Sequence, residues 1–415
     1  MEDITKKLLI FSNAKDYFEQ STENNSIDIL NKMLVLANKY GLSGNIWKSY
    51  VAYYIAMNEN PFSLSVEKNS AENIGNIKII AKSDCAVLKK LFDSDLSDIL
   101  ADIPEECIDA LCNYDNKYEL DQVGTKIEQL KVRLENSLSE SEFYETVLSF
   151  YADEGVGSIG LNKAFVLKEN SAKPVLTAIK STDNVMLSDL VGYEVQKKRL
   201  LDNTIAFIEG RSANNVLLYG DGGTGKSTSI RAICNQFSPK GLRVIQIYRH
   251  QMKYLNQLID KLKGRNYKFI IYMDDLSFED FETEYKYLKA IIEGGLEPRP
   301  KNLLIYATSN RRHLIKETWN DRDDMVQDGD MHQSDSMEEK LSLAERFGIQ
   351  IYYGKPTVDE FHNIVETLAK RECLEVDMEF LHKEATKWEI RYGSVSGRSA
   401  RQFIDYIKGM EETLK

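Results

Sequence analysis

The run Val216-Leu217-Leu218-Tyr219 passes directly into Gly220-Asp221-Gly222-Gly223-Thr224-Gly225-Lys226-Ser227, a strand-sized apolar segment followed by the pattern GxxxxGK[ST]. This combination constrains the fold more than any other part of the chain. The strand must be buried, the loop must wrap an anion, and a helix must begin at Lys226. Glycines let the backbone close around a phosphate with its N–H groups inward, and the helix turns its positive end to the same charge. The pattern predicts nucleotide contacts from Gly220, Asp221, Gly222, Gly223, Thr224, Gly225, Lys226, Ser227 and Thr228. Lys226 is suited to bridge the β- and γ-phosphates of ATP, and the Ser227 hydroxyl to ligate Mg²⁺.

A second buried-strand run, Phe269 to Met273, ends in Asp274-Asp275, the form of a Walker B segment. Asp274 is expected to hold Mg²⁺ through its water shell, and Asp275 to orient or activate the attacking water. Around these motifs, short β-rich runs alternate with helical stretches, the signature of parallel βαβ units. Strands are expected at Val216 to Tyr219, Leu242 to Tyr248, Phe269 to Asp274, Leu303 to Thr308 and Ile349 to Tyr352, with helices near 226–237, 251–263 and 281–293. Three further helices, near 357–371, 377–390 and 397–412, form a small C-terminal unit.

The chain has 415 residues, more than one typical domain. Residues 1–150 carry apolar positions at helical spacing, including Ile27, Leu30, Met33, Leu34, Leu36 and Ala37, and later Ile127, Leu130, Val132 and Leu134. The expected organisation is an α-helical N-terminal domain at 1–150, a linker at 151–186, an α/β nucleotide-binding domain at 187–355 and a helical lid at 356–415. Gly155-Val156-Gly157-Ser158-Ile159-Gly160 matches GxGxxG, but the preceding Glu142 to Tyr151 reads as a helix with Phe143, Val147 and Phe150 on one side. The fingerprint needs a strand there, so a glycine turn is expected instead.

The net charge of -12 gives no support to a broad nucleic-acid footprint, which draws on clustered Lys and Arg. Asn320 to Lys340 holds eight acidic residues against Arg322 and Lys340, and its lack of apolar periodicity reads as a solvated loop at 320–340. No apolar run reaches the length of a membrane-spanning helix. The start of the chain lacks a long apolar segment with a cleavage site, so a cytoplasmic protein is expected. Five scattered cysteines show no zinc or redox spacing and read as reduced.

The strand Leu303 to Thr308 leads into Ser309-Asn310-Arg311-Arg312-His313-Leu314, which resembles the sensor 1 segment of AAA+ ATPases. The resemblance implies that Asn310, with Ser309 as the alternative, helps place the lytic water. Leu343-Ala344-Glu345-Arg346-Phe347-Gly348 resembles the segment carrying the arginine finger, implying that Arg346 reaches a neighbouring subunit's γ-phosphate and that the chain forms a homo-oligomer. Ser396 to Phe403 resembles the sensor 2 region, implying a nucleotide contact from Arg398 or Arg401, with Arg398 favoured at the helix start. Leu190-Val191-Gly192-Tyr193 resembles the adenine-contacting stretch.

Leu190 to Tyr193, Asp274 to Phe278 and Tyr306 to Leu314 together are similar in wording to a bacterial AAA+ family catalogued as domain of unknown function 815, over about 187–412. The resemblance implies an AAA+ P-loop doubly wound parallel sheet with a helical C-terminal lid, beside the α-helical N-terminal domain. It implies an ATPase that couples nucleotide state to assembly and to remodelling or loading of a macromolecular partner, the client being an unidentified protein. Most members of the class carry Glu where this chain has Asp275, which implies slow hydrolysis and keeps open a second reading, a nucleotide-gated binding switch with negligible turnover. Tyr248 to Tyr254 lacks the aromatic-apolar-glycine triplet of protein-threading motors.

Overall fold

The computed structural model describes residues 5–11, 14–18, 25–69, 73–170, 173–180, 183–278, 284–293, 300–310, 343–374, 376–393 and 395–414. The acidic stretch 320–340, Arg311, Arg312 and His313 lie outside these residues. The chain divides into two compact units, one comprising Met1–Lys163 with Gly264–Asn266, the other Ala164–Lys263 with Tyr267–Lys415.

The first unit is helical. Its main elements are α1 (Asn25–Tyr40), α2 (Ile46–Met57), α3 (Ile77–Phe92), α4 (Gln122–Glu135) and α5 (Glu140–Asp153). Side-chain caps set several starts: Asn45 accepts from Lys48 N–H, Asp121 from Gly124 N–H and Ser139 from Glu142 N–H, each satisfying a donor that a helix start leaves unpaired. The core is rich in aromatics, with Phe11, Phe18, Trp47, Tyr50, Tyr54, Phe62, Phe143 and Tyr151 all buried. Ile27 and Val132 of the expected apolar stripes are exposed, because a helix face spans only part of its circumference. Asp84, fully buried on α3, accepts hydrogen bonds from the N–H groups of Leu9, Ile10 and Phe11. The GxGxxG segment follows the helix α5 and itself forms a short helix, Gly157–Leu161.

The second unit is built on a seven-stranded sheet: β1 (Ala164–Asn170), β2 (Lys173–Ala178), β3 (Val216–Gly220), β4 (Leu242–Ile247), β5 (Lys268–Met273), β6 (Leu303–Ser309) and β7 (Ile349–Tyr353), in the order β2-β1-β4-β5-β6-β3-β7. Among the described residues only β1 and β2 pair antiparallel. The five strands expected from the sequence are all present and parallel. All seven residues of β6 are buried, as a strand covered on both faces requires. The hairpin β1–β2 occupies part of the stretch 151–186 expected as a linker. β1 joins the sheet through Ala164, Phe165 and Val166 against β4, a non-local pairing that leaves little periodic signal in the sequence.

Helices α6 (Glu194–Ile208) and α7 (Lys226–Phe237) bury Leu200, Phe207, Ile230 and Ile233 with the sheet. The helix expected near 251–263 is a 3₁₀ turn, Arg249–Tyr254, running into α8 (Leu255–Leu262); α9 covers Glu284–Glu293. The lid consists of α10 (Val358–Arg371), α11 (Met378–Tyr392) and α12 (Gly397–Leu414), packed around Phe361, Val365, Leu381, Phe403 and Ile404. Thr357 and Glu360 form a capping box at the start of α10, and α11 ends on left-handed Gly393. This is the AAA+ P-loop architecture, a doubly wound sheet with a helical lid, accompanied by a helical N-terminal unit. Among the described residues no helix is long and apolar enough to cross a membrane.

Candidate nucleotide site

Strand order decides which side chains meet. The P-loop strand β3 lies between β6 and β7, and β5 lies beyond β6. The carboxyl ends of β3, β6 and β5 therefore adjoin one another, where open α/β sheets bind ligands. Residues at those ends are Gly220, Thr308 to Asn310 and Asp274-Asp275.

The loop's glycines answer to close neighbours as well as to a phosphate. Gly220 has φ +132 and a Cβ there would fall 2.1 Å from Tyr353 O, while a Cβ on Gly225, at φ +96, would fall 2.3 Å from Leu190 Cδ1. Asp221 N–H donates to Tyr353 O at 3.0 Å, and its carboxylate accepts from Lys355 N–H at 3.2 Å. Thr224 is buried and its hydroxyl donates to Asp221 O at 2.8 Å. Thr228 is half-buried in the first turn of α7.

Lys226 Nζ donates to Gly220 O at 2.8 Å, to Asp221 O at 2.6 Å and to Asn310 Oδ1 at 3.1 Å. Burial pushes its ammonium below the ordinary lysine range; Asp221, Asp275 and Asp274 pull it back up, and Arg398 adds to the lowering. Asn310 in turn donates from Nδ2 to Asp275 Oδ1 at 2.8 Å. It thereby joins the P-loop lysine to the second acid of the strand end.

Asp274 Oδ1 accepts from both Ser227 Oγ at 2.7 Å and Thr308 Oγ1 at 2.6 Å. Burial alone would raise this carboxyl; the hydrogen bond from Thr308 leads the opposing influences, with the Tyr272 phenol, Ser227 and the charge of Arg231 behind it, and the group is held below the usual carboxylate range. The buried Tyr272 hydroxyl lies beside the same carboxylate, yet it meets hydrogen-bond geometry with no partner among the described residues. An ionised carboxylate and a serine oxygen with free lone pairs fit a hydrated hard cation.

Arg398 and Arg401 separate clearly. Arg398 N–H donates to Gly223 O at 3.2 Å, which sets its backbone at the P-loop, and its charge acts on Lys226. Arg401 is in ion pairs within the lid, 3.0 Å from Glu372 and 3.7 Å from Asp405. Arg346, half-buried, precedes β7. β3 and β7 pair Val216 with Ile349 and Gly220 with Tyr353, so the P-loop leaves one end of this strand pair and Arg346 stands off the other. Four strand steps at about 3.3 Å each put roughly 13 Å between those ends, and Arg346 is not brought to the loop of its own chain. Tyr193, of the stretch expected at adenine, stacks on Tyr353 and donates to Gly354 O at 2.8 Å. Thr308 and Tyr272 are absent from the expected site residues; a polar β-branched residue and a tyrosine inside otherwise apolar strands, each near the strand's carboxyl end, are the signals that point to them.

A family model described as "Protein of unknown function (DUF815)" matches residues 161–411. Similar solved structures include a single-residue variant of Thermotoga maritima RuvB, 18% identical, covering 55% of this chain and 66% of that one with a TM-score of 0.39. Another is the Thermotoga maritima RuvB Holliday junction branch migration motor, 17% identical, covering 53% of this chain and 71% of that one with a TM-score of 0.32. The chain thus spans just under two thirds of the first of these. No curated protein matches.

Proposed function

The chain belongs to the DUF815 family, and from that premise we propose that it binds ATP with Mg²⁺ and hydrolyses it, assembling through its AAA+ module to remodel or load an unidentified protein client in the cytoplasm. One observation carries the reading: Lys226, Asn310 and Asp275 form one hydrogen-bonded chain, and Ser227, Asp274 and Thr308 form another beside it.

Ser227 and Asp274 would hold Mg²⁺, which when bound neutralises phosphate charge and fixes phosphate orientation. Lys226 exchanges its contacts with Gly220 O and Asp221 O for phosphate oxygens, its positive charge matching theirs. Asn310, released on its oxygen side, keeps Asp275 in place while the Asp275 carboxylate accepts a proton from the attacking water. Arg398 adds a cation from the lid side of Gly223. Arg346, standing off the far end of the β3–β7 pair from its own loop, supplies a guanidinium to a neighbouring copy.

Asp275 is also the residue that favours the second reading. It is shorter than the usual Glu, and its backbone is left-handed at φ +50. A switch that binds ATP without turning it over would use the same binding residues. Steady-state hydrolysis measured against protein concentration separates the two, with Lys226→Ala, Asp275→Asn and Arg346→Ala as comparisons. Turnover per chain that rises with concentration and is lost in all three variants supports the ATPase. Tight ATP binding without turnover in the wild type establishes the switch instead.

A further inference from the structure

We propose that Thr308 is a positioning residue for the hydrolytic step, holding the strained turn at Asp275 so that a short aspartate stands where the reaction needs a carboxylate. The inference rests on the ATPase reading above and extends it to a residue with no part in phosphate binding. Thr308 is 1% exposed, near the carboxyl end of β6. It is paired with Leu218 of the P-loop strand on one side, and on the other it follows Ala307, the partner of Met273.

Its hydroxyl has one proton to give and lone pairs to accept with. The proton goes to Asp274 Oδ1 at 2.6 Å, and the oxygen accepts from Asp275 N–H at 3.0 Å. Its carbonyl oxygen accepts from Leu276 N–H at 2.7 Å. One residue thus fastens three consecutive residues after β5, two by its side chain and one by its backbone.

The middle of those three is the strained one. A non-glycine residue at φ +50 occupies a sparsely populated region and stays there only where its surroundings over-determine it. The N–H groups of Asp275 and Leu276, on either side of the Asp275 φ and ψ bonds, both end on Thr308. With the backbone so turned, the Asp275 carboxylate receives the Asn310 amide at 2.8 Å. A carboxylate one methylene short of Glu reaches Asn310 by backbone rotation, and Thr308 holds that rotation. Because the same hydroxyl also loads Asp274 Oδ1, it sets the two acids in fixed relation.

The test compares Thr308→Val, which keeps the shape and removes the hydroxyl, with Thr308→Ser, which keeps the hydroxyl. Full-length protein is assayed for kcat, for KM, for Mg²⁺ dependence and for binding of a fluorescent ATP analogue. The proposal expects kcat in Thr308→Val to fall about 10- to 100-fold, the scale of a misplaced catalytic group, with nucleotide affinity changed less than about 3-fold. Thr308→Ser should restore kcat to within about 3-fold of wild type, and Thr308→Val should require more Mg²⁺ for half-maximal rate. Wild-type turnover left unchanged in Thr308→Val would overturn the Thr308 role and leave the ATPase standing. A Thr308→Ser variant as impaired as Thr308→Val would overturn it too. A wild type with no turnover at all would sink the ATPase reading and the positioning role with it.

Discussion

Lys226 Nζ lies 3.1 Å from Asn310 Oδ1, so the ammonium that defines the P-loop and the polar residue that follows β6 are already hydrogen-bonded to each other. Asn310 passes this contact on to Asp275 through its amide nitrogen. An amide can do both at once because it carries an acceptor and donors on opposite atoms.

Asn310→Ala removes the link while leaving the phosphate loop intact. Turnover is expected to fall by roughly 10²-fold, as for a misplaced catalytic group, with nucleotide affinity little changed. Asn310→Asp would place a second carboxylate against Asp275 and should be at least as damaging. Parallel measurement of kcat and analogue binding checks both, and a fall in affinity matching the fall in rate would reassign Asn310 to binding.

Nucleotide affinity should decline as pH rises toward the alkaline range, earlier than an ordinary lysine predicts. Burial lowers the Lys226 pKa in the free protein, whereas bound phosphates favour its charged form and raise it. Between the two values the complex holds more protons than its free parts, so binding takes up protons and weakens with increasing pH. Calorimetry in buffers of different ionisation enthalpy measures that uptake; Lys226→Arg, ionised throughout, should abolish it.

Arg346→Ala should leave binding by single chains untouched and remove the concentration-dependent part of turnover. Guanidinium groups acting in trans on phosphoryl transfer contribute about 10³- to 10⁵-fold, so the residual rate should be flat against protein concentration. Mixing Arg346→Ala with Lys226→Ala offers a sharper check. Each variant supplies what the other lacks, and activity above either alone places the arginine and the lysine in different chains.

In the first unit, Asp84→Ala should destabilise by about 1 to 3 kcal/mol, the cost of stranding the buried N–H of Phe11, while the more exposed N–H groups of Leu9 and Ile10 turn to water. Asp84→Asn keeps an acceptor and should cost less. Urea unfolding followed by near-ultraviolet circular dichroism, which reports the aromatic core around Trp47 and Tyr54, measures the difference.

Much of the nucleotide site was legible because its parts are local. Strand, glycine loop and lysine lie within a dozen consecutive residues, and Asp274-Asp275 directly end a buried strand. The five parallel strands could be read from short β-rich runs. What escaped was set by pairing between distant segments. Thr308 looks like an ordinary strand residue until β6 is known to lie between β3 and β5. The sequence favours Arg398 over Arg401 only by its place at a helix start; the fold separates them, one meeting Gly223 and the other Glu372. The hairpin β1–β2 owes its place to three residues pairing with β4, too few to show as a pattern, and Asp84 draws its role from backbone more than seventy residues away.

The contacts around the P-loop also bear on which of its positions a lineage can afford to change. Gly220 is hemmed by Tyr353, Gly225 by Leu190, and Gly223 by Ser396 and Arg398 of the lid, whereas a Cβ on Gly222 would meet nothing within 4 Å. Three of the four glycines are thus held in place by partners elsewhere in the fold, and drift at any of them would have to be matched by drift in a strand, an entry loop or a lid helix. Gly222 is the position where the protein itself leaves room for another side chain.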